Sequence, residues 1–289
     1  MKLRLVSMLV LVFALPLLAL SARADTVSTD FANASAFAVL GATTVTNTGA
    51  TTLGGNLGVS PGLAITGSGT ITLSGSIYTG TPGVAATAQS SALNTYNYLT
   101  TLSSVANPNG MNLGGETLTP GVYNFNSSAS AQLTGTLTLN FGGAAGNFVF
   151  LIPSTLTTAS ASNVVIENAV AGDNVYWQVG SSATLGTTTS FAGDIIALTA
   201  VSLDTGATDG CGSVIALNAA VTMQGNTIST NSCTTTTTET SSGGTVTPVV
   251  SGPLTTVAVP EPGTFALLSS GLLAMFFLTF LKSRVSPLI

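Results

Sequence analysis

Apolar and hydroxyl residues alternate along much of this chain. Thr70-Ile71-Thr72-Leu73 and Thr136-Leu137-Thr138-Leu139 set Ile or Leu against Thr at a period of two, the pattern of a half-buried strand. Four longer segments repeat a compound version of it: 148–160, 175–188, 194–208 and 213–227. Each opens on a buried-looking run (FVFLI, VYWQV, DIIAL, SVIAL), turns a small-residue corner, and continues as a strand alternating Leu or Met with Thr or Ser. Their spacing of roughly 18–28 residues lies in the range of solenoid coils. The pattern predicts an all-β-dominated chain folded as an irregular β-solenoid. Its coils stack at about 4.8 Å, with Leu, Ile and Val inward and a file of threonines outward.

Three segments depart from that period. From Pro82 to Leu102, apolar residues fall at Ala85, Ala88, Ala92, Tyr96, Leu99 and Leu102, which predicts one amphipathic helix over about 82–103, with Pro82 in its first turn. A single helix in a solenoid should lie along one side and cover apolar surface. Residues 1–24 read as a secretory signal peptide, with Lys2 and Arg4, an apolar stretch, and an Ala22-Arg23-Ala24 cleavage site. Residues 264–281 form a second apolar run, long enough to span a bilayer, followed by Lys282 and Arg284, which leave the C-terminus cytoplasmic. The predicted organisation is therefore signal peptide 1–24, solenoid 25–232, a Thr/Ser/Pro-rich linker 233–258 and a C-terminal segment 259–289.

Charge narrows the function. Of 289 residues only 5% are charged; Lys and Arg total 5, Asp and Glu 10, and there is no His. All five basic residues (Lys2, Arg4, Arg23, Lys282, Arg284) sit in the terminal segments. A body without cations cannot replace the counterions of a phosphate backbone, so nucleic acid is excluded as a partner. A Ser-His-Asp triad and a histidine-bound zinc are excluded with it. Low charge combined with 45% hydrophobic residues is not the composition of a disordered chain.

No cofactor, metal site or catalytic residue is expected. Glu116, Glu167, Asp173, Asp194, Asp204 and Asp209 are scattered in sequence. They suit turn capping, and an enzyme acting on polysaccharide, though it shares this fold class, would also use Arg, Lys or His. Tyr176 and Trp177 alternate within VYWQV and read as core rather than as a sugar platform. Cys211 and Cys233 are the only cysteines, and export predicts one disulfide between them.

Two resemblances carry specific expectations. Pro260-Glu261-Pro262, the apolar run and the basic tail resemble, in that order, the PEP-CTERM sorting signal of Gram-negative bacteria. The resemblance implies transient anchoring in the inner membrane, processing by an exosortase, and delivery to the cell surface or medium. In the body, Phe37-Ala-Val-Leu-Gly, Leu57-Gly-Val-Ser-Pro-Gly, Leu113-Gly-Gly-Glu-Thr-Leu-Thr-Pro-Gly-Val-Tyr, Val175-Tyr-Trp-Gln-Val-Gly and Asp204-Thr-Gly-Ala-Thr occur in the order found in the ice-binding proteins that share domain of unknown function 3494. That resemblance implies a solenoid of triangular cross-section with one long helix beside it, binding ice crystals through one flat face. The family's Thr-Ala/Gly-x-Thr/Asn pattern matches Thr48-Gly-Ala-Thr51 and Thr205-Gly-Ala-Thr208 fully, and the stretches at Thr158–Ser160 and Thr187–Thr189 in part. It therefore implies an ice-contact set of Thr48, Thr51, Thr158, Ser160, Thr187, Thr189, Thr205 and Thr208. Chemistry independent of the family supports such a surface. Threonine offers a hydroxyl to join ordered water and a methyl that water can enclose, on a β-branched side chain that is stiff before it binds. An alternative with the same fold is a structural or adhesive matrix protein whose threonine face meets polysaccharide or another cell.

Overall fold

Three parallel sheets form the walls of the body in the computed structural model, which describes residues 31–104, 112–125 and 129–233. We call them faces A, B and C, with 8, 7 and 8 strands. Seven coils each contribute one strand to every face: coil 1 spans 37–54, coil 2 56–73, coil 3 121–140, coil 4 147–167, coil 5 174–191, coil 6 194–209 and coil 7 214–229. Every pairing between coils is parallel, so each coil repeats the in-out alternation of its neighbour in register.

The coils do not stack in chain order. Along the axis they run 2-1-7-6-5-4-3. The chain winds coil 1, then coil 2 at one end, then runs the helix Val84–Thr100 along face A and restarts at the far end. It returns coil by coil until coil 7 closes on coil 1, with Val39 beside Val214, Val45 beside Val221 and Leu53 beside Ile228. Two extra strands, Ile77–Thr79 and Thr117–Leu118, extend faces A and C at opposite ends.

The helix begins at Val84, so Pro82 precedes it instead of lying in its first turn, and Gly83 is the N-cap. Ala85, Ala88, Ala92, Tyr96 and Leu99 pack on Phe37, Leu40, Val149, Leu151, Tyr176, Ile196 and Ile215 of face A. Face A is thus apolar on both sides, which explains why its strands read as continuous hydrophobic runs such as Phe148–Ile152. Inside the coils, Trp177 stacks on Phe150 at 3.9 Å between ring centroids, and its Nε1–H donates to Ala192 O at 3.0 Å. It is core, as VYWQV implied. Cys211 and Cys233 are joined by a disulfide with Cα atoms 5.0 Å apart, which pins residue 233 to the body.

Candidate functional site

With face A under the helix, faces B and C carry the free sheet surface. Most face B strands are three residues long and run inward, outward, inward: Leu156-Thr157-Thr158, Ala183-Thr184-Leu185, Val201-Ser202-Leu203. Their inward residues join the core inside the coils, and the middle residue must point out. Strand pairing then lines the middle residues into one file across all seven coils: Gln132, Thr157, Thr184, Ser202, Thr222, Thr46 and Thr66. No member is charged, and no register shift interrupts the file.

A second file lies beside it, at the position two residues before the first file in each coil. Backbone N–H groups of the strands donate to Thr155, Ser182, Ala200 and Ala220, so these positions are laddered too. Ser130 opens this file, accepting from Thr155 Oγ1 at 2.8 Å, and Thr44 and Ala64 close it. Face B therefore presents two parallel files of small hydroxyl and methyl groups. Rows are about 4.8 Å apart between coils and about 7 Å apart along the strands. Thr222 Oγ1 donates to Ser202 Oγ at 3.1 Å, whereas among the described residues the hydroxyls of Thr46, Thr157 and Thr184 have no protein partner.

Face C carries one comparable file, Thr136, Asn163, Ser190, Thr208, Thr227, Thr52 and Thr72. It is flanked by charge: exposed Glu167 accepts from Asn140 Nδ2 at 3.4 Å at one end of this face.

The structure redistributes the eight threonine-motif residues. Thr48, Ser160, Thr187 and Thr205 are exposed, at the corner between faces B and C. Thr208 is half-buried in the face C file. Thr51, Thr158 and Thr189 are buried at 1%, 3% and 0% exposure, and they cannot touch anything outside the protein. Their hydroxyls plug the inside of the corner instead. Thr158 Oγ1 and Thr189 Oγ1 share a hydrogen bond of 2.8 Å, and the Gly186 N–H donates to Thr158 Oγ1 at 2.9 Å. Thr51 Oγ1 donates to Asn47 Oδ1 at 2.6 Å and accepts from the Asn226 N–H at 3.1 Å.

The cause is the corner itself. The chain turns from face B to face C through a left-handed residue in each coil: Gly49, Gly67, Gly135, Ala161, Thr188, Gly206 or Gly225. Glycine serves here because a positive φ costs it nothing, and the corners at Ala161 and Thr188 carry that cost. Thr48-Gly-Ala-Thr51 and Thr205-Gly-Ala-Thr208 share four letters but not a register: Thr208 aligns through Thr227 with Thr52, one residue past Thr51. The motif marks the corner, and the outward file of face B lies on the strand just before it. Thr46, Thr157, Thr184, Ser202 and Thr222 lie outside the letters of the motif. The period-two alternation of the same segments already pointed to them.

Of the six acids, Asp173 caps a turn, its carboxylate accepting from Gly146 N at 2.8 Å and Val170 N at 2.7 Å. Asp194 and Asp209 meet at the corner between faces C and A. Burial pushes the Asp194 carboxyl up to about 7, against the pull of the Ser213 backbone N–H. Burial, then the nearby Asp194 charge, holds Asp209 well above the usual carboxylate range. Among the described residues no Arg, Lys or His accompanies them. The sorting residues Pro260, Glu261 and Pro262, the linker and the apolar run 264–281 lie outside the described residues, and among the described ones no helix is long and apolar enough to cross a membrane.

Comparison with known proteins places this geometry. Residues 39–229 match the family model described as ice-binding-like, and residues 258–280 match the PEP-CTERM protein-sorting motif. An ice-binding protein of Nostoc sp. (strain HG1) is 47% identical over 246 residues, covering 84% of each chain. The crystal structure of an ice-binding protein from an Antarctic biological consortium is 40% identical, covering 68% of this chain and 89% of the other, with a TM-score of 0.63. That of an ice-binding protein from the Antarctic ascomycete Antarctomyces psychrotrophicus is 32% identical, covering 69% and 97%, with a TM-score of 0.64.

Proposed function

The chain belongs to the ice-binding-like family, and on that premise we propose that it is an exported, non-enzymatic ice-binding protein whose contact surface is face B. One observation carries the choice of face: an unbroken, uncharged file of hydroxyl-bearing positions from Thr157 to Thr66, flanked by a second file of small residues, on a sheet the helix leaves open. Ordered water needs a flat, stiff and regular template. Seven registered coils supply the regularity, and β-branched side chains standing on paired strands supply the stiffness. Ions would hold water in orientations that ice does not share, and this face has none in its central file.

The polysaccharide-adhesion reading is weaker on the same surface. Sugar platforms stack on exposed aromatic rings, while Tyr176 and Trp177 are buried at 2% and 0% exposure. For the rest of the chain, the reading is a cleaved signal peptide 1–24, a body ending after Cys233 because the bridge holds that residue, a linker to 258, and a sorting tail 259–289. The tail would anchor the precursor in the inner membrane until an exosortase-type enzyme processes it for the surface or medium.

Thermal hysteresis and ice-recrystallisation inhibition test the assignment. Thr184→Lys and Thr222→Lys should abolish both, while Thr227→Lys on face C should keep most of each. Full activity in the two face B variants, with loss in the face C variant, would move the contact surface to face C.

A further inference from the structure

The two ends of the solenoid differ. At the coil 3 end, Leu113 is fully buried and the strand Thr117–Leu118 continues face C past coil 3, so the core is covered. At the coil 2 end the inward residues of the last coil lie open. Ile65, Ile71 and Leu73 are half-buried against the core, Ile77 is 51% exposed, and Leu63, beside Gly80, is 71% exposed. Three edge strands ring this patch: Ala64–Thr66 in face B, Ile71–Leu73 in face C and Ile77–Thr79 in face A. Each keeps a row of backbone N–H and C=O groups with no strand beside it. Edges are ordinarily blunted with charge or proline. These strands have neither, and no charged residue occurs between Phe31 and Gly115. The described chain enters at Phe31, whose ring meets Tyr176 of coil 5, and leaves at Cys233, bridged to Cys211 after coil 6, so neither end covers coil 2.

We propose that the coil 2 end is a self-association surface, on which a second copy of this chain docks end to end about a two-fold axis. Three features select a second copy. A single extended peptide can pair with one edge, whereas another coil 2 end offers three edges in the same triangular arrangement. An isologous contact sets every group against the same surface, so a charged patch repels itself and this uncharged one does not. The third feature is the shape of the end. The chain climbs from face B to C to A, so the edge strands form a ramp with Ile77–Thr79 outermost. A two-fold axis perpendicular to the stack inverts that ramp, and the edges meet at even spacing only when the middle step, face C, lies on the axis. Ile71–Leu73 then pairs antiparallel with its own copy, and Ile77–Thr79 of each copy pairs with Ala64–Thr66 of the other. Leu63 and Ile77, both large apolar side chains left in water by the single chain, are thereby brought to one seam and covered. The patch is small, on the order of 400 Å² per copy, which makes the pair weak and reversible. The outward side of face B stays free, and the contact does not depend on what that face binds.

Thr72 lies mid-strand on the proposed axis, and directly opposed residues of antiparallel strands are about 4.5–5.5 Å apart, within disulfide reach. The full chain is expressed in a Gram-negative host, oxidised in the cell envelope and run on a non-reducing gel, so that a weak pair is trapped covalently. Thr72→Cys should yield a homodimer, identified by mass spectrometry. Thr136→Cys, an exposed position of the same face C file at the coil 3 end, reports chance collision and should yield many times less. Leu63→Asp or Ile77→Asp added to Thr72→Cys should cut the yield about tenfold or more, because each buries a carboxylate at the seam. With no cysteine introduced, the purified chain in mild detergent should dimerise with rising concentration in analytical ultracentrifugation, and Leu63→Asp should keep it monomeric. Equal yields at positions 72 and 136, or a Thr72→Cys yield that Leu63→Asp leaves intact, would overturn the proposal. So would a Thr72→Cys cross-link to a different protein, which would assign this end to another partner. If Thr72→Cys is not exported, ultracentrifugation of the parent and Leu63→Asp decides the matter alone.

Discussion

Thr51 and Thr184 are both threonines of the repeating coil, yet the structure gives them opposite duties, and exchanging each hydroxyl separates the two. In Thr51→Val the shape is kept and the hydroxyl is lost. Asn47 Oδ1 then loses the donor at 2.6 Å and the Asn226 N–H loses its acceptor at 3.1 Å, both in a corner closed to water. Each buried group left unsatisfied costs about 1–3 kcal/mol, so the variant should lose about 2–6 kcal/mol. For a body of this size that is on the order of 5–15 °C of melting temperature. Ice activity per folded molecule should be unchanged, because Thr51 is 1% exposed. Thr184→Lys should do the reverse. The side chain stands outward between Thr157 and Ser202, so its replacement should cost within about 1 kcal/mol, while a charged protrusion in mid-file removes thermal hysteresis. Melting followed by circular dichroism and hysteresis at matched folded concentration give the two readouts. A Thr51→Val protein that melts normally but no longer binds ice would mean that the inward and outward assignments are exchanged, and the argument for face B would fall with them.

Two further outcomes follow from the corners and the bridge. Thr188 holds φ at 55° where glycine stands in five of the seven coils, so Thr188→Gly should raise stability by about 1 kcal/mol in calorimetry; a destabilised variant would show that the corner is not strained there. Reducing Cys211–Cys233, which are 22 residues apart, should cost about 3 kcal/mol, read as a lower melting temperature in dithiothreitol that the Cys211→Ser/Cys233→Ser double variant reproduces without reductant.

Much of the architecture was legible because solenoid physics is local. Period-two alternation in Ala183-Thr184-Leu185 and Val201-Ser202-Leu203 declares which residue faces out, since adjacent side chains on a strand have no other choice. The helix was legible for the same reason at a different period, and VYWQV announced a strand buried on both sides. The absence of cations in the body removed whole classes of partner before any coordinate was needed.

Three things were decided only in three dimensions. The coil order 2-1-7-6-5-4-3 places Val45 beside Val221, a pairing set by which exposed sheet edge the last coil meets and not by any periodicity. The fate of Thr51 and Thr208, written in the same four letters, turns on a one-residue difference in how the corner is counted, and register at a corner is a property of the neighbouring coil. Asp194 and Asp209, fifteen positions apart and unremarkable in sequence, come near one another because one full turn of coil 6 brings its last residue back to the corner where it began. Alternation along a strand is dictated by the covalent geometry of the chain itself. Which strand lies alongside it, and what a corner buries, is settled only when the coils stack.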